Sequence, residues 1–261
     1  MIPPELPSIL LTGAPAIYCA GLLLGFDSLM QRRNRATESR TEASPAPARK
    51  NQERRLLSER SRDLRISVAT SPEAIAEAAR LVEMRYAWRG YETGQIGSEP
   101  SGHSRPESHE ITLLARNDEA TLGTLTLRLD SPLGLRAEEG YGETISAVRA
   151  EGRQVCELTR LALAETSDWK AVLASLFSLA YAMGRTVHGV TDVFIEVNPR
   201  HVGFYERALG FVVAAGERFC ERVKAPSVLL KLELADLERR LRLESPSAAT
   251  STLFSFAAAA A

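Results

Sequence analysis

The alternation of apolar and polar positions along the chain lays out one α/β unit between residues 65 and 243. Arg65-Ile-Ser-Val-Ala69 alternates and predicts a short strand. Ser71-Pro72-Glu73 then has the chemistry of a helix start: a capping hydroxyl, proline at the first helical position and an acid in the first turn. Ile75, Ala78, Ala79, Val82 and Tyr86 recur at helical spacing and give this helix an apolar stripe. Gly90 to His109 has no period, and a loop of that length in a compact domain is usually functional or mobile. Two β-rich runs, Glu110–Arg116 and Ala120–Leu129, flank Asn117-Asp118-Glu119 and predict a hairpin. A helix over Gly134 to Val148, a strand over Gln154 to Leu163 and a strongly apolar helix over Asp168 to Met183 follow. Asp192-Val-Phe-Ile-Glu-Val197 is almost continuously apolar, as a central strand buried on both faces is. Arg200 to Leu209 predicts a short helix closed by Gly210, with strands over Phe211–Ala214 and Val228–Leu234 after it. The order β-α-β-β-α-β-α-β-α-β-β describes an α/β fold around one mixed sheet flanked by helices.

The flanks differ from this unit. Leu6 to Phe26, within an apolar segment over residues 1–30, carries no charge and has about the ~20 residues that cross a bilayer, although Pro7, Gly13, Pro15 and Gly21 weaken it as a helix. Residues 31–64 form a basic linker poor in apolar side chains, expected to be disordered. Three readings of the apolar segment compete: membrane anchor, cleaved signal and disordered leader. Arg32, Arg33 and Arg35 follow it, which by the positive-inside rule puts the body in the cytoplasm, anchored to the inner face of the membrane on the first reading. Residues 244–261 are a Ser/Ala-rich tail expected to be disordered.

Charge and cysteine usage exclude several classes. Lys and Arg number 32 against 33 Asp and Glu, so a uniformly basic nucleic-acid binder is disfavoured. Cys19, Cys156 and Cys220 form no Cys-x-x-Cys pair, and no His-Glu-x-x-His is present, so no metal site is expected.

Two segments carry chemistry. In Val197-Asn-Pro-Arg-His-Val-Gly-Phe-Tyr-Glu-Arg-Ala-Leu-Gly-Phe211 a strand ends in an Asn-Pro turn, and Tyr205 stands seven residues after Asn198, ahead of Gly-Phe. This pattern resembles the C-terminal motif of the GNAT-type N-acyltransferases, in which such a tyrosine is placed to protonate a leaving thiolate; the competing role for Tyr205 is packing beside Phe204 and Phe211. The second segment is Glu157-Leu-Thr-Arg160. On a regular strand Glu157 and Thr159 share a face, and Arg160 lies on the other face unless a bulge intervenes.

Glu157-Leu-Thr-Arg-Leu-Ala162, Gly123 to Leu135, Phe194 to His201 and Ala225 to Leu230 together resemble the FeeM-type N-acyl amino acid synthases, relatives of the acyl-homoserine-lactone synthases. The resemblance covers most of Ile66 to Leu234 and none of the first sixty residues. It implies a GNAT-like fold and transfer of a long-chain acyl group from a thioester to the amine of an amino acid, with no tightly bound cofactor. Glu157 is then the base, Tyr205 the acid at the thiol, and Arg160 a group that orients Glu157 or grips the acceptor carboxylate. Arg85 and Trp88 resemble an Arg-plus-aromatic signature of the same synthases, with Trp88 lining an acyl tunnel and Arg85 ordering the long loop; a core anchor and a solvated cation are the plainer alternatives. Asn198 and His201 are assigned to substrate binding. Glu107 and Glu110 are the candidates for the acidic residues that lactone synthases carry before the hairpin. One departure bears on the donor. Leu163-Ala-Glu-Thr-Ser-Asp-Trp-Lys170 has no glycine where ordinary acyltransferases of this superfamily cradle the CoA pyrophosphate, so acyl carrier protein rather than acyl-CoA is the expected donor and partner. Synthesis on another amine, and a degenerate lipid-binding module, are the alternative functions.

Overall fold

The computed structural model describes residues 64–91, 109–166 and 169–244, the last four without their side chains. The apolar N-terminal segment, the basic linker, most of the long loop with Glu107, and the Ser/Ala-rich tail lie outside the described residues. Among the described residues no helix is long and apolar enough to cross a membrane.

Seven strands form one sheet: β1 (Arg65–Val68), β2 (Glu110–Arg116), β3 (Thr121–Leu129), β4 (Val155–Leu163), β5 (Asp192–Val197), β6 (Val212–Cys220) and β7 (Ala225–Glu233). Their spatial order is β1-β2-β3-β4-β5-β7-β6, and every neighbouring pair is antiparallel except β4–β5. The helices are α1 (Pro72–Trp88), α2 (Glu138–Ala150), α3 (Trp169–Tyr181), α4 (Val202–Leu209) and α5 (Leu234–Glu244). The expected elements are present. The structure adds α5, extends β6 to Cys220, starts α2 four residues later than the apolar positions suggested and follows α3 with a wide π turn, Ala182–Val187.

Local chemistry accounts for the ends. Ser71 Oγ accepts the Ala74 N–H at 3.2 Å and caps α1 behind Pro72. Gly210 closes α4 with φ 79°, a left-handed conformation that only glycine adopts cheaply.

The central strands are apolar on both faces because each face is covered. Leu113, Leu127, Leu158, Ile195 and Leu230 point to the side of α3 and belong to the main core. Their sequence neighbours Leu114, Phe194 and Leu229 point the opposite way, Leu114 to α1 and the other two to α2. Gly123 lets α3 settle on the sheet. A Cβ there would stand 2.8 Å from Val172 Cγ1, 2.9 Å from Leu163 Cδ2 and 3.1 Å from Leu176 Cδ1. Gly123→Val should therefore lower the unfolding free energy by about 1–3 kcal/mol through overpacking, measured by urea denaturation; unchanged stability would show that α3 yields freely.

Candidate active site

The site begins with one extra residue in β4. Thr126 of β3 faces Thr159, but two residues further along β3 Thr124 faces Ala162, three residues further along β4. Arg160 sits in this bulge with φ 53°. A bulge bends its strand and increases the local twist. On the opposite side, β4 pairs with β5 only at Val155/Asp192, Cys156/Val193 and Glu157/Phe194. Beyond that row the two strands run on, to Leu163 and Val197, without pairing to each other. The result is a V whose apex is Glu157 and whose mouth lies at the C-terminal ends of both strands. A cleft of about 670 Å³ occupies it, walled by Leu158 to Ala164 on one bank and Ile195 to Asn198 on the other. Leu173 and Phe177 of α3 and Phe204 of α4 add to the apolar side chains that its strands supply. Leu158 and Phe177 also line a second, much smaller cavity between the sheet and α5, among Leu127, Val193, Leu232 and Leu237.

At the apex Glu157 is 1% exposed. Its Oε2 accepts the backbone N–H of Arg136 at 2.6 Å and of Ala137 at 3.2 Å, just ahead of α2. Burial raises its pKa to about 7, against the pull of Arg222 and of the Ala137 and Arg136 amides, with nearby Glu196 adding to the rise. A carboxylate so tuned is half-ionised at neutral pH, where a general base is most effective. Arg222 pairs with Glu196, which also accepts the Ser227 hydroxyl at 2.7 Å, and donates to the Arg136 carbonyl.

Beside Glu157, in register across the sheet, stand Arg128 and Glu110. The Glu110 carboxylate, 4% exposed, accepts from Arg128 at 2.7 Å, Arg160 at 3.0 Å and Arg136 at 3.2 Å. Burial alone would raise its pKa, but Arg160, Arg136 and Arg128 outweigh burial and hold it below the ordinary carboxylate value. The bulge thus answers the question of face that the sequence left open: Arg160 reaches the face of Glu110, and through Glu110 and Arg136 it is linked to Glu157.

At the mouth, Arg85 pairs with Glu165 at 2.9 Å, and His201 Nε2 stands 3.3 Å from the guanidinium of Arg89. Asn198 works locally: Oδ1 accepts the Arg200 N–H at 3.3 Å and Nδ2 donates to the Pro226 carbonyl at 3.3 Å. Tyr205 lines the cleft and also packs edge-to-face on Phe204 and Phe211, with ring centroids 5.3 and 5.9 Å away, so both of its expected roles are compatible with its place. Burial raises its phenol well above the ordinary value.

Trp88 requires correction. It is 67% exposed and is not part of the cleft wall; Arg85 and Arg89 stack on its ring at 5.0 and 5.6 Å. Two positions along a helix turn a side chain through about 200°, so the wall position falls to Tyr86, which burial raises to about pKa 12 against the pull of Arg160. Sequence reasoning placed Tyr86 in an apolar stripe, and it missed Arg128, Arg136, Glu196 and Arg222. Arg128 lies inside one of the resembling blocks. Arg136 and Arg222 had no local signal, because only the fold brings them to Glu157.

The family model described as N-acyl amino acid synthase FeeM matches residues 77–233, more than half of the chain. The chain belongs to the FeeM family of N-acyl amino acid synthases. It is an acyltransferase. The solved structure of FeeM, an N-acyl amino acid synthase from uncultured soil microbes, superposes with a TM-score of 0.61 at 23% identity, over 68% of this chain and 93% of that one, and shares its GNAT-like fold. A putative N-acetyltransferase from Lactobacillus plantarum aligns with a TM-score of 0.46 at 16% identity, over 66% of this chain and 98% of that one. No curated protein matches the sequence.

The Glu110 cluster generates a stability prediction for this family member. Glu110→Ala leaves buried guanidinium groups without their shared carboxylate and should cost about 3–5 kcal/mol, read by urea denaturation at pH 7. The folded state depresses the Glu110 pKa, so its contribution is present above the ordinary carboxylate range and is lost as pH falls through the folded value. The gap between variant and wild type should therefore narrow in acid. A constant gap would mean that the carboxylate charge is not what stabilises the cluster.

Proposed function

We propose that the protein moves a long-chain fatty acyl group from an acyl carrier protein thioester to the amino group of an amino acid, giving an N-acyl amino acid. The observation that carries this reading is Glu157, a buried carboxyl tuned to about pKa 7 at the apex of a cleft with apolar walls. The acceptor arrives as an ammonium and must lose a proton before its nitrogen can attack. Glu157, directly or through a water, takes that proton. The neutral nitrogen then bonds to the thioester carbonyl carbon, and the oxygen becomes an oxyanion. Backbone N–H groups of β4 beyond Glu157, which do not pair with β5, are placed to hold that charge. The C–S bond breaks as the carbonyl re-forms, and Tyr205 or a water gives the departing thiolate its proton.

Arg160 is a positioning residue in this scheme, acting on Glu157 through Glu110 and Arg136. The guanidinium groups of Arg136, Arg160 and Arg222 line the same cleft, held there by Glu110 and Glu196, and their positive charge favours an acceptor that carries a carboxylate over a plain amine. The apolar side chains of Leu158, Leu173, Phe177 and Phe204 in the cleft favour a fatty acyl group. Arg85, Asn198 and His201 stand at the mouth, where the donor arm passes. Every described wall residue lies between Arg85 and Ser227, which supports a catalytic unit over residues 65–243.

Two measurements test the scheme. Glu157→Gln should keep the fold and lower kcat by about 10²-fold or more. With both substrates saturating, the wild-type kcat should rise with pH through about 7 as Glu157 loses its proton. A variant that turns over at the wild-type rate at neutral pH removes Glu157 from the mechanism. For the donor, a long-chain acyl carrier protein should give a higher kcat/KM than the CoA thioester of the same chain, with N-acyl amino acid as the product by mass spectrometry. Equal or better kcat/KM with acyl-CoA would refute the carrier preference.

A further inference from the structure

Arg89 in the lining of the cleft mouth, and Arg200 beside it against His201 and Tyr91, carry guanidinium groups that meet no carboxylate among the described residues. Arg89, just after α1, places Nη1 3.3 Å from His201 Nε2, and Arg200, just after β5, places Nε 3.3 Å from the same nitrogen. Arg200 also donates Nη2 to the Tyr91 hydroxyl at 2.8 Å and lies over the Tyr91 ring at 5.7 Å. Arg89 lies over Trp88. All of these partners are neutral. Burial, Arg89 and Arg200 lower the His201 pKa, so the imidazole is neutral at pH 7. Because an arginine can only donate, Nε2 is the accepting nitrogen.

Two like charges drawn to one neutral acceptor repel each other, and an anion seated between them would turn that repulsion into attraction. Their location says which anion. Arg89, Tyr91 and His201 line the cleft where it opens to solvent, so an acyl-thioester arm must pass them to bring its carbonyl to Glu157 at the apex. The other bank is unsuited to an anion. Arg85 there is already paired with Glu165, and Leu163 to Thr166 has no glycine to bring backbone amides close.

We propose that Arg89 and Arg200, converging on His201, bind the 4′-phosphate of the donor's phosphopantetheine arm. The inference rests on the reading of the donor as a phosphopantetheine thioester. Acyl carrier protein and CoA both carry this phosphate, and the site is assigned to the group that they share. It places the anion subsite at the end of β5, on the bank opposite the segment that follows β4.

The test compares two small donors with the same acyl chain, acyl-pantetheine and acyl-4′-phosphopantetheine, using the full chain. In the wild type the phosphate should raise kcat/KM by about tenfold or more, the scale of a charge-assisted contact. In the double variant Arg89→Gln, Arg200→Gln that ratio should fall to near one, with each single variant losing part of it. A wild type indifferent to the phosphate, or a double variant that keeps the full ratio, overturns the proposal. Acyl carrier protein and acyl-CoA separate the sources: both should lose a comparable factor in the double variant. A loss confined to the carrier protein would mean that the arginines meet the carrier's surface and not the phosphate, and also overturns it. Calorimetric binding of 4′-phosphopantetheine against pantetheine reads the same difference without turnover. A binding preference without acyl transfer would fault the proposed function and leave the phosphate site standing, whereas turnover without the preference would do the reverse.

Discussion

The departure of β4 from β5 after the Glu157/Phe194 row governs the rest of the site. A parallel pair that continued to Leu163 and Val197 would close the sheet, and neither a cleft nor a set of unpaired backbone donors would exist. The bulge at Arg160 opens it, and a bulge at a residue other than glycine, with φ 53°, persists only if its surroundings hold it. Here the hold is electrostatic. The side chain that the bulge displaces is the one that Glu110 captures, at 3.0 Å, from two strands away. Backbone distortion and ion pair therefore support each other.

The same pocket keeps two carboxyl groups in opposite states. Glu110 and Glu157 stand in one row across the sheet, separated by Arg128. Glu110 is surrounded by guanidinium groups and stays ionised; Glu157 is buried beyond the reach of full compensation and titrates at about 7. Separating the pKa values of neighbouring acids is how a site obtains a fixed charge and a mobile proton from one residue type. Cys156, next in the chain to Glu157, points to the other face, and burial raises its thiol well above the ordinary value.

Much of this was legible in the chain. The α/β order, the cap at Ser71, the stop at Gly210 and the central strand over Asp192–Val197 follow from periodicity and turn chemistry, which are local. Glu157 and Arg160 were legible as a pair, but their relation was not, because one extra residue in a strand leaves no mark in composition. Glu110 was one of two candidates until its register opposite Arg128 placed it. Arg136 and Arg222 lie 86 positions apart and meet when Arg222 donates to the Arg136 carbonyl, a contact that no window along the sequence contains. Trp88 shows the converse error: a family signature named an aromatic position, while helix geometry gave the wall to its neighbour Tyr86.

Three ladder pairs, with the Gln154 carbonyl just ahead of them accepting from Thr191 and Asp192, join β4 to β5. Side chains do most of the joining, above all on the α3 side, where Leu127 and Leu158 from one half and Val193, Ile195 and Leu230 from the other share a single core. The molecule is built like a book whose spine is that core and whose pages open at Glu157. In such a construction the usual division between residues that maintain a fold and residues that tune an activity breaks down along the spine. A change in volume at Leu158 or Ile195 alters the angle between the pages, and so the width available to a substrate, before it alters anything at the chemical centre. Drift in the interior is then a route by which members of this architecture can acquire new acyl chains or acceptors while every ionisable group stays where it is.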